Sequence, residues 1–190
     1  MAINYRFGRG SYRNLEEGAE REWFIGNGLG GFSNISIIGN LSHVQSGYLV
    51  ATLNPPVERI NILSNIFDKV TLGDTVYDLS CQSKVDDDYE GFKYLESFEL
   101  DSCAIYTYRI LDTVIKKTIC IEYGKNTVII KYEIKNGNQH MKLEATPLFG
   151  MRDNNETDII VEYDKDIDYS FEDNVVKLSN NKDNRYHALF

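Results

Sequence analysis

The chain of 190 residues carries 20 Lys and Arg against 29 Asp and Glu, which gives a formal net charge of −9 at pH 7. This charge disfavours nonspecific binding to nucleic acid or to an anionic membrane surface, because both need clustered basic side chains. Hydrophobic residues make up 42% of the chain and charged residues 26%, which excludes wholesale disorder. A single domain over residues 1–190 is expected from this length. No run of apolar residues is as long as the about 20 residues that a membrane-spanning helix needs.

One short helix and then a long series of strands are predicted in chain order. Asn14 is a suitable N-cap for a helix with Glu16 and Glu17 in its first turn, although Gly18 weakens it. Thirteen Tyr, nine Phe and frequent Val and Ile favour strands in the rest of the chain. The predicted strands cover residues 31–38, 46–53, 57–63, 66–72, 75–80, 91–100, 104–111, 113–123, 126–135, 139–149, 158–163, 168–172 and 174–179.

The segment from Arg21 to Phe32 places the only Trp of the chain, Trp23, beside four glycines. Such a cluster marks backbone that turns with positive φ or passes close to another group. The spacing of Gly28, Gly30 and Gly31 is also found in phosphate-binding loops, but those loops precede a long helix. Because a strand-like run follows here, a turn between two strands is predicted.

Alternation of apolar and charged residues is clearest over residues 127–135 and 141–145, where Lys and Glu recur at every second position. Antiparallel strands without long intervening helices bury their apolar faces on one another. The predicted fold is therefore all-β, a large antiparallel two-sheet β-sandwich with one short N-terminal helix.

The three cysteines, Cys81, Cys103 and Cys120, form no C-x-x-C motif and cannot all pair within one chain. They are expected to be reduced and buried, as in a cytoplasmic protein. The N-terminal residues lack the apolar core of a signal peptide, which also favours a cytoplasmic location.

Catalysis by this chain alone is not expected, since His43, His140 and His187 lie near no activating signature. Glu22 and the acidic run 86–88 are candidates for the two carboxylates of a glycosidase, which lie about 5 to 10 Å apart. An ion pair of Glu22 with Arg21 and a solvated acidic loop are the favoured alternatives. The sequence thus predicts no catalytic residue, no metal ligand and no cofactor.

Several segments resemble, in order, the N-terminal domain of prokaryotic-type glycogen debranching enzymes, the amylo-α-1,6-glucosidases. Near the N-terminus these are Phe7-Gly8-Arg9, residues 14–17, Glu22-Trp23 and residues 27–32. The resemblance continues over residues 49–51, 54–57, 62–64, 77–80, 91–98, 123–127 and 147–149, and at Arg152-Asp153.

The resemblance implies a β-sandwich whose catalytic carboxylates belong to a following helical (α/α)₆ barrel. The chain is then the non-catalytic N-terminal domain, complete or incomplete, of a longer enzyme that hydrolyses α-1,6 branches. Its implied partners are that barrel and α-glucan, either glycogen or maltooligosaccharide. The alternative is a stand-alone carbohydrate-binding or structural β-sandwich protein without enzymatic activity.

The resemblance also gives a set of residues for substrate binding or domain contact. They are Glu22, Trp23, Asn27, Gly28, Gly30, Gly31, Phe32, Arg152 and Asp153. Trp23 and Phe32 could stack on a sugar while Asn27 and Glu22 bond its hydroxyls; in the favoured alternative Trp23 belongs to the core.

One family feature, an Arg-Arg-Tyr-His cluster, is replaced here by residues 43–46, His-Val-Gln-Ser. A guanidinium donates directed hydrogen bonds and a Tyr ring offers a stacking face, so a binding role of that cluster does not carry over. Arg152 and Asp153 are kept, but Asn154 and Asn155 stand where the family has aromatic and His residues.

Overall fold

The computed structural model describes residues 4–82, 89–155, 167–181 and 187–190. Within these ranges the regular structure is mostly β-strand, and every strand pairing is antiparallel. Two large sheets pack on each other, with two smaller sheets beside them. The predicted all-β, sandwich-like fold is confirmed.

The first sheet has five strands, and the alternation of residues along them shows which face is turned inward. In β10, Ala104, Tyr106, Tyr108 and Ile110 alternate with more exposed residues and are buried. Such a two-residue period places every second side chain against the opposite sheet. In spatial order the strands are β1 (Tyr5–Gly8), β9 (Leu95–Leu100), β10 (Ala104–Ile110), β11 (Thr113–Ile121) and β12 (Val128–Lys135).

The second sheet is built around one long strand, β5, whose 15 residues span the sandwich. β13 pairs along one side of β5, and β4 and β6 pair in succession along the other. The strands are β13 (Met141–Asp153), β5 (Glu58–Leu72), β4 (Gly47–Asn54), β3 (Phe32–Ser36) and β2 (Glu22–Gly26), with β6 (Thr75–Asp78) beside β5.

The remaining elements are small. The helix α1 (Leu15–Ala19) begins after Asn14, whose Oδ1 accepts a hydrogen bond from the backbone N–H of Glu17 at 2.7 Å, as the predicted N-cap requires. The two smaller sheets are β7 (Cys81–Gln82) with β8 (Tyr89–Glu90), and β14 (Ile167–Glu172) with β15 (Val175–Asn180) and β16 (His187–Leu189).

Two predicted details differ from the structure. The predicted break between strands 57–63 and 66–72 is wrong, because Ser64 and Asn65 bond to Asn61 and to the Gly39 carbonyl and stay buried within β5. Residues 91–94 form a 3-10 turn before β9 rather than strand. The predicted strand 158–163 and the acidic run 86–88 lie outside the described residues.

The expectation of three reduced cysteines is also wrong. Cys103 and Cys120 form a disulfide with a Cα–Cα distance of 4.7 Å. Their neighbours Ala104 and Ile119 are directly paired in the register of β10 and β11, so the two cysteines face each other at the end of that ladder. Cys81 is free and buried. The spacing of 17 residues between the two cysteines does not by itself indicate a disulfide, because the register of the hairpin decides whether they face each other.

In the described ranges, the structure contains no helix of the length and apolar character that crossing a membrane demands.

Candidate functional site at the glycine loop

The predicted glycine turn is a loop, residues 27–31, that closes the hairpin between β2 and β3. Gly26 lies opposite Phe32 in the register, and the backbone N–H of Asn27 donates to the Gly31 carbonyl at 2.9 Å. Gly28 and Gly30 have φ of +80° and +105°, a region that other residues rarely enter. We call residues 27–31 the glycine loop.

Asn27 fixes the glycine loop to the turn between β11 and β12. Its side chain is fully buried, and its Nδ2 donates to the Lys125 carbonyl at 3.0 Å and to Asn126 Oδ1 at 3.1 Å. The N–H of Gly124 donates to the Asn27 carbonyl at 2.7 Å. Asn126 in turn bonds both backbone groups of Thr52 in β4, at 3.0 and 2.8 Å. Three distant segments are thereby joined at one end of the sandwich.

A fourth segment, residues 54–57, lies against Gly30. A Cβ atom at Gly30 would stand 2.7 Å from the Pro56 carbonyl oxygen, so no larger residue fits there without moving backbone. The Gly30 carbonyl accepts a hydrogen bond from Arg59 Nε at 2.7 Å. Residues 27–32, 54–57 and 123–127, which carried part of the family resemblance, therefore meet in space.

Side chains with flat faces surround this loop. Phe24 is 62% exposed and Tyr123 is 83% exposed. The rings of Phe24 and Phe32 lie 5.1 Å apart, and the Arg59 guanidinium lies 5.9 Å from the centre of the Phe32 ring. Exposed aromatic rings and a guanidinium contact sugar rings and protein surfaces through stacking and directed hydrogen bonds. We call Phe24, Phe32, Arg59 and Tyr123 the aromatic surface.

Trp23 does not belong to this surface. It is 2% exposed, its Nε1 donates to the Tyr106 hydroxyl at 2.6 Å, and its ring lies 6.4 Å from that of Phe98. The favoured alternative, that Trp23 is a core residue, is confirmed, and a stacking platform that includes the Trp23 ring is not present. Phe24, one position along β2, points to the opposite face and is exposed instead.

Glu22 and Arg152 lie elsewhere, where each contacts the turn at residues 42–46. Glu22 accepts a hydrogen bond from the Ser46 hydroxyl at 3.1 Å, and Arg152 donates to the Val44 carbonyl. Asp153 accepts from the Asn155 N–H at 2.8 Å. Four strand positions separate Glu22 from Gly26, or about 14 Å. Glu22 therefore lies at the end of β2 opposite to the glycine loop, whereas Asp153 lies on β13, opposite Ile60 of β5.

A buried charged cluster between the sheets was not among the residues predicted from the sequence. Lys117 on β11 donates to Asp68 on β5 at 2.6 Å, and the Tyr132 hydroxyl donates to the other oxygen of Asp68 at 2.7 Å. Burial lowers the pKa of Lys117, but the Asp68 carboxylate and Tyr132 raise it further, so the net shift is upward. The alternation along β11 contained the signal, since it puts Lys117 on the buried face.

An apolar cavity of about 610 Å³ opens next to this cluster, between β12 and the second sheet. Ile62 and Phe149 of the second sheet, Ile130 and Tyr132 of β12 and the C-terminal residues 187–190 are among those that line it. Its polar side chains are those of Asn126, Thr127, Tyr132 and His187. The cavity suits apolar contact rather than hydrolytic chemistry.

Within the described ranges, no group of three or more His, Cys, Asp and Glu is arranged to hold a metal ion.

Comparison with known proteins gives one finding. The sequence model of a protein family described as "Glycogen debranching enzyme N terminal" matches residues 21–189. Neither the curated proteins nor the solved structures contain a match to the chain.

Proposed function

Since the chain belongs to the family of glycogen debranching enzyme N-terminal domains, we propose that it is the non-catalytic β-sandwich that supports a helical (α/α)₆ catalytic domain in the hydrolysis of α-1,6 branches of glucan. The family match over residues 21–189 carries this proposal, because it includes every strand of both large sheets except β1. The chain acts as one domain, and the catalytic carboxylates are supplied by the helical domain.

The aromatic surface supports a contact with such a domain. Phe24 and Tyr123 expose large apolar rings beside a loop that Asn27 and Asn126 hold in one conformation. Exposed aromatic rings beside a loop held in this way lose little conformational entropy on binding, and such rings supply much of the energy of protein interfaces.

Mixing experiments test the support role. The purified chain is expected to release no glucose from branched limit dextrin above a no-protein control. Added to a separately expressed (α/α)₆ domain of a debranching enzyme, it is expected to bind and to raise that domain's thermal midpoint. The F24A/Y123A double variant is expected to bind about tenfold more weakly or worse, because two exposed anchor rings are lost.

Tyr169 offers a matched control, since it is 79% exposed and lies on β14, in a small sheet separate from the two large ones. The variant Y169A is expected to bind the helical domain as the unaltered chain does. Hydrolysis of the dextrin by the purified chain alone would contradict the non-catalytic role.

A second candidate is direct α-glucan binding at the aromatic surface, which the exposure of Phe24 and Tyr123 favours. Trp23 is buried, so tryptophan fluorescence is a poor reporter, and calorimetric titration with maltooligosaccharide is the suitable measurement. Binding that is lost in F24A/Y123A and kept in Y169A supports this role. Absence of heat at millimolar sugar rejects it.

A cytoplasmic location belongs to the same proposal. The Cys103–Cys120 disulfide makes it testable, because disulfides are uncommon in reducing compartments. If the chain is cytoplasmic, rapid acid trapping of cellular thiols followed by alkylation is expected to find Cys103 and Cys120 largely reduced in the cell, and a fully oxidised pair would count against that location. Accumulation of the chain in a secreted fraction would overturn the proposed location.

A further inference from the structure

The outer edge of β12 is unpaired among the described residues. β12 bonds to β11 along one side and ends the first sheet on the other. Ile129 on this strand is 55% exposed and Ile134 is 42% exposed. A long edge strand with a free row of N–H and C=O groups is a template for another strand.

The two faces of β12 are different, which restricts the strand that can pair with it. Lys131 and Glu133 point to solvent and lie 3.0 Å apart as an ion pair, with side chains 63% and 49% exposed. Val128, Ile130 and Tyr132 point inward and line the cavity between the sheets. A pairing strand must continue an apolar row on one face and meet alternating charges on the other.

We propose that β12 pairs with β12 of a second copy of this chain, antiparallel, about a two-fold axis through Tyr132. In this register Lys131 lies opposite Glu133 of the second copy, and the symmetry repeats the pair. On the inner face Ile130 lies opposite Ile134 of the second copy, so the apolar row continues across the axis. The two five-stranded sheets then form one continuous sheet.

The charges on β12 favour this register over the registers in which the two-fold axis passes through another residue of the strand. An axis through Lys131 places two lysines opposite each other, and an axis through Glu133 opposes two glutamates and sets Lys131 against Lys135. An axis through Ile130 forms no charge pair, and one through Ile134 leaves only residues 133–135 overlapping. Directly opposed like charges destabilise a strand pair, whereas the axis through Tyr132 gives two opposite-charge pairs and an overlap over residues 129–135.

Charge-reversal variants of the full chain test the pairing by sedimentation equilibrium. The unaltered chain is expected to dimerise at sub-millimolar concentration. K131E and E133K are each expected to raise the dimer dissociation constant about tenfold or more, because like charges then face each other twice. An equimolar mixture of K131E and E133K is expected to regain dimerisation, since every opposed pair is again Lys with Glu. The double variant K131E/E133K is expected to regain it as well.

The pair of Arg109 and Glu96 supplies the control on the same sheet. Arg109 Nε lies 3.0 Å from Glu96 Oε2, and the two side chains are 46% and 40% exposed, similar to Lys131 and Glu133. The pair lies on β10 and β9, which are inner strands of the sheet and not its edge. R109E is expected to dimerise as the unaltered chain does, and circular dichroism checks that each variant is folded. A chain that stays monomeric, single variants that dimerise unchanged, or a mixture that fails to recover would each overturn the proposal.

Discussion

The Nζ atom of Lys117 lies 2.6 Å from Oδ2 of Asp68, and both side chains are almost completely buried, at 3% and 4% exposure. This ion pair joins the inner faces of the two sheets, since Lys117 is on β11 and Asp68 on β5. The Tyr132 hydroxyl satisfies the second carboxylate oxygen. The inner faces of the sheets thus meet at an ion pair in which both carboxylate oxygens are hydrogen-bonded, at positions where the two-residue alternation would otherwise place apolar residues.

Removing one member of this cluster is expected to destabilise the fold strongly. K117M leaves the Asp68 carboxylate buried without its cation, which is expected to cost about 3–5 kcal/mol of unfolding free energy. Urea denaturation measures the change. The double variant K117M/D68L, which removes both charges, is expected to lose less than the sum of the single variants.

An exposed pair of the same residue types is the control. Lys69 lies 3.7 Å from Asp78 and its side chain is 49% exposed. K69M is expected to change stability by less than about 0.5 kcal/mol, because exposed ion pairs contribute little. Equal effects of K117M and K69M would contradict a special role of the buried cluster.

The hydroxyl of Tyr106 is expected to stabilise the core through two hydrogen bonds. It accepts from Trp23 at 2.6 Å and donates to the Ser36 carbonyl at 2.7 Å, and the side chain is fully buried. Y106F leaves both partners unsatisfied, at a cost of about 1–3 kcal/mol in thermal or urea unfolding. The exposed Tyr169 provides the comparison, and Y169F is expected to leave the unfolding midpoint unchanged.

Stability is expected to fall above about pH 10, where unfolded tyrosines lose their protons. Burial holds the pKa values of Tyr48, Tyr106 and Tyr108 well above the usual range. Since the folded state keeps these protons more tightly, its advantage is complete below about pH 10 and is lost as pH rises. The raised pKa of Lys117 acts with the same sign.

The measurement is the urea midpoint at about pH 8 and about pH 11, together with tyrosinate absorbance. Only part of the 13 tyrosines should ionise before the chain unfolds. A native state in which all of them titrate together near about pH 10 would contradict the burial argument.

Thiol counting is expected to show one free cysteine. In denaturant without reductant, only Cys81 should react with a thiol reagent, and all three cysteines should react after reduction. In the native state Cys81 should react slowly, because burial raises the pKa of its thiol to about 12. C103S/C120S is expected to lose up to about 3 kcal/mol through the opened loop. Three reactive thiols before reduction would refute the pairing.

The glycine loop is expected to be intolerant of substitution at Gly30. Gly30 and Gly124 both have positive φ, at +105° and +79°, but only at Gly30 would a Cβ atom meet backbone, 2.7 Å from the Pro56 carbonyl oxygen. G124A is expected to cost about 1 kcal/mol from backbone strain alone. G30A is expected to cost clearly more, because the 54–57 segment must move. Equal losses in urea unfolding would show that φ alone matters.

Local signals in the sequence predicted most of the fold. The two-residue period marked β10, β11 and β12 within about two residues, and Asn14 marked the start of the helix. The break assigned at Ser64 and Asn65 failed because their polar side chains are satisfied inside the sheet by Asn61 and Gly39. Such long-range bonds are not visible in a single sequence.

The candidate site was predicted only in part for the same reason. The glycines were identified from their clustering and Asn27 from the family resemblance, but their partners Arg59 and Asn126 lie 29 and 99 residues away along the chain. Trp23 and Phe24 are adjacent, and which of them is exposed depends on the face that β2 turns to the core. Family resemblance grouped Glu22 with Asn27, whereas strand geometry separates them.

The single strand β5 contains both the residue that contacts the glycine loop and the residue that carries the buried carboxylate. Arg59, the second residue of β5, donates a hydrogen bond to the Gly30 carbonyl. Asp68, nine positions later, forms the buried ion pair with Lys117. Both contacts therefore depend on the same strand, so a substitution that prevents β5 from pairing is expected to disturb the glycine loop and the buried ion pair together.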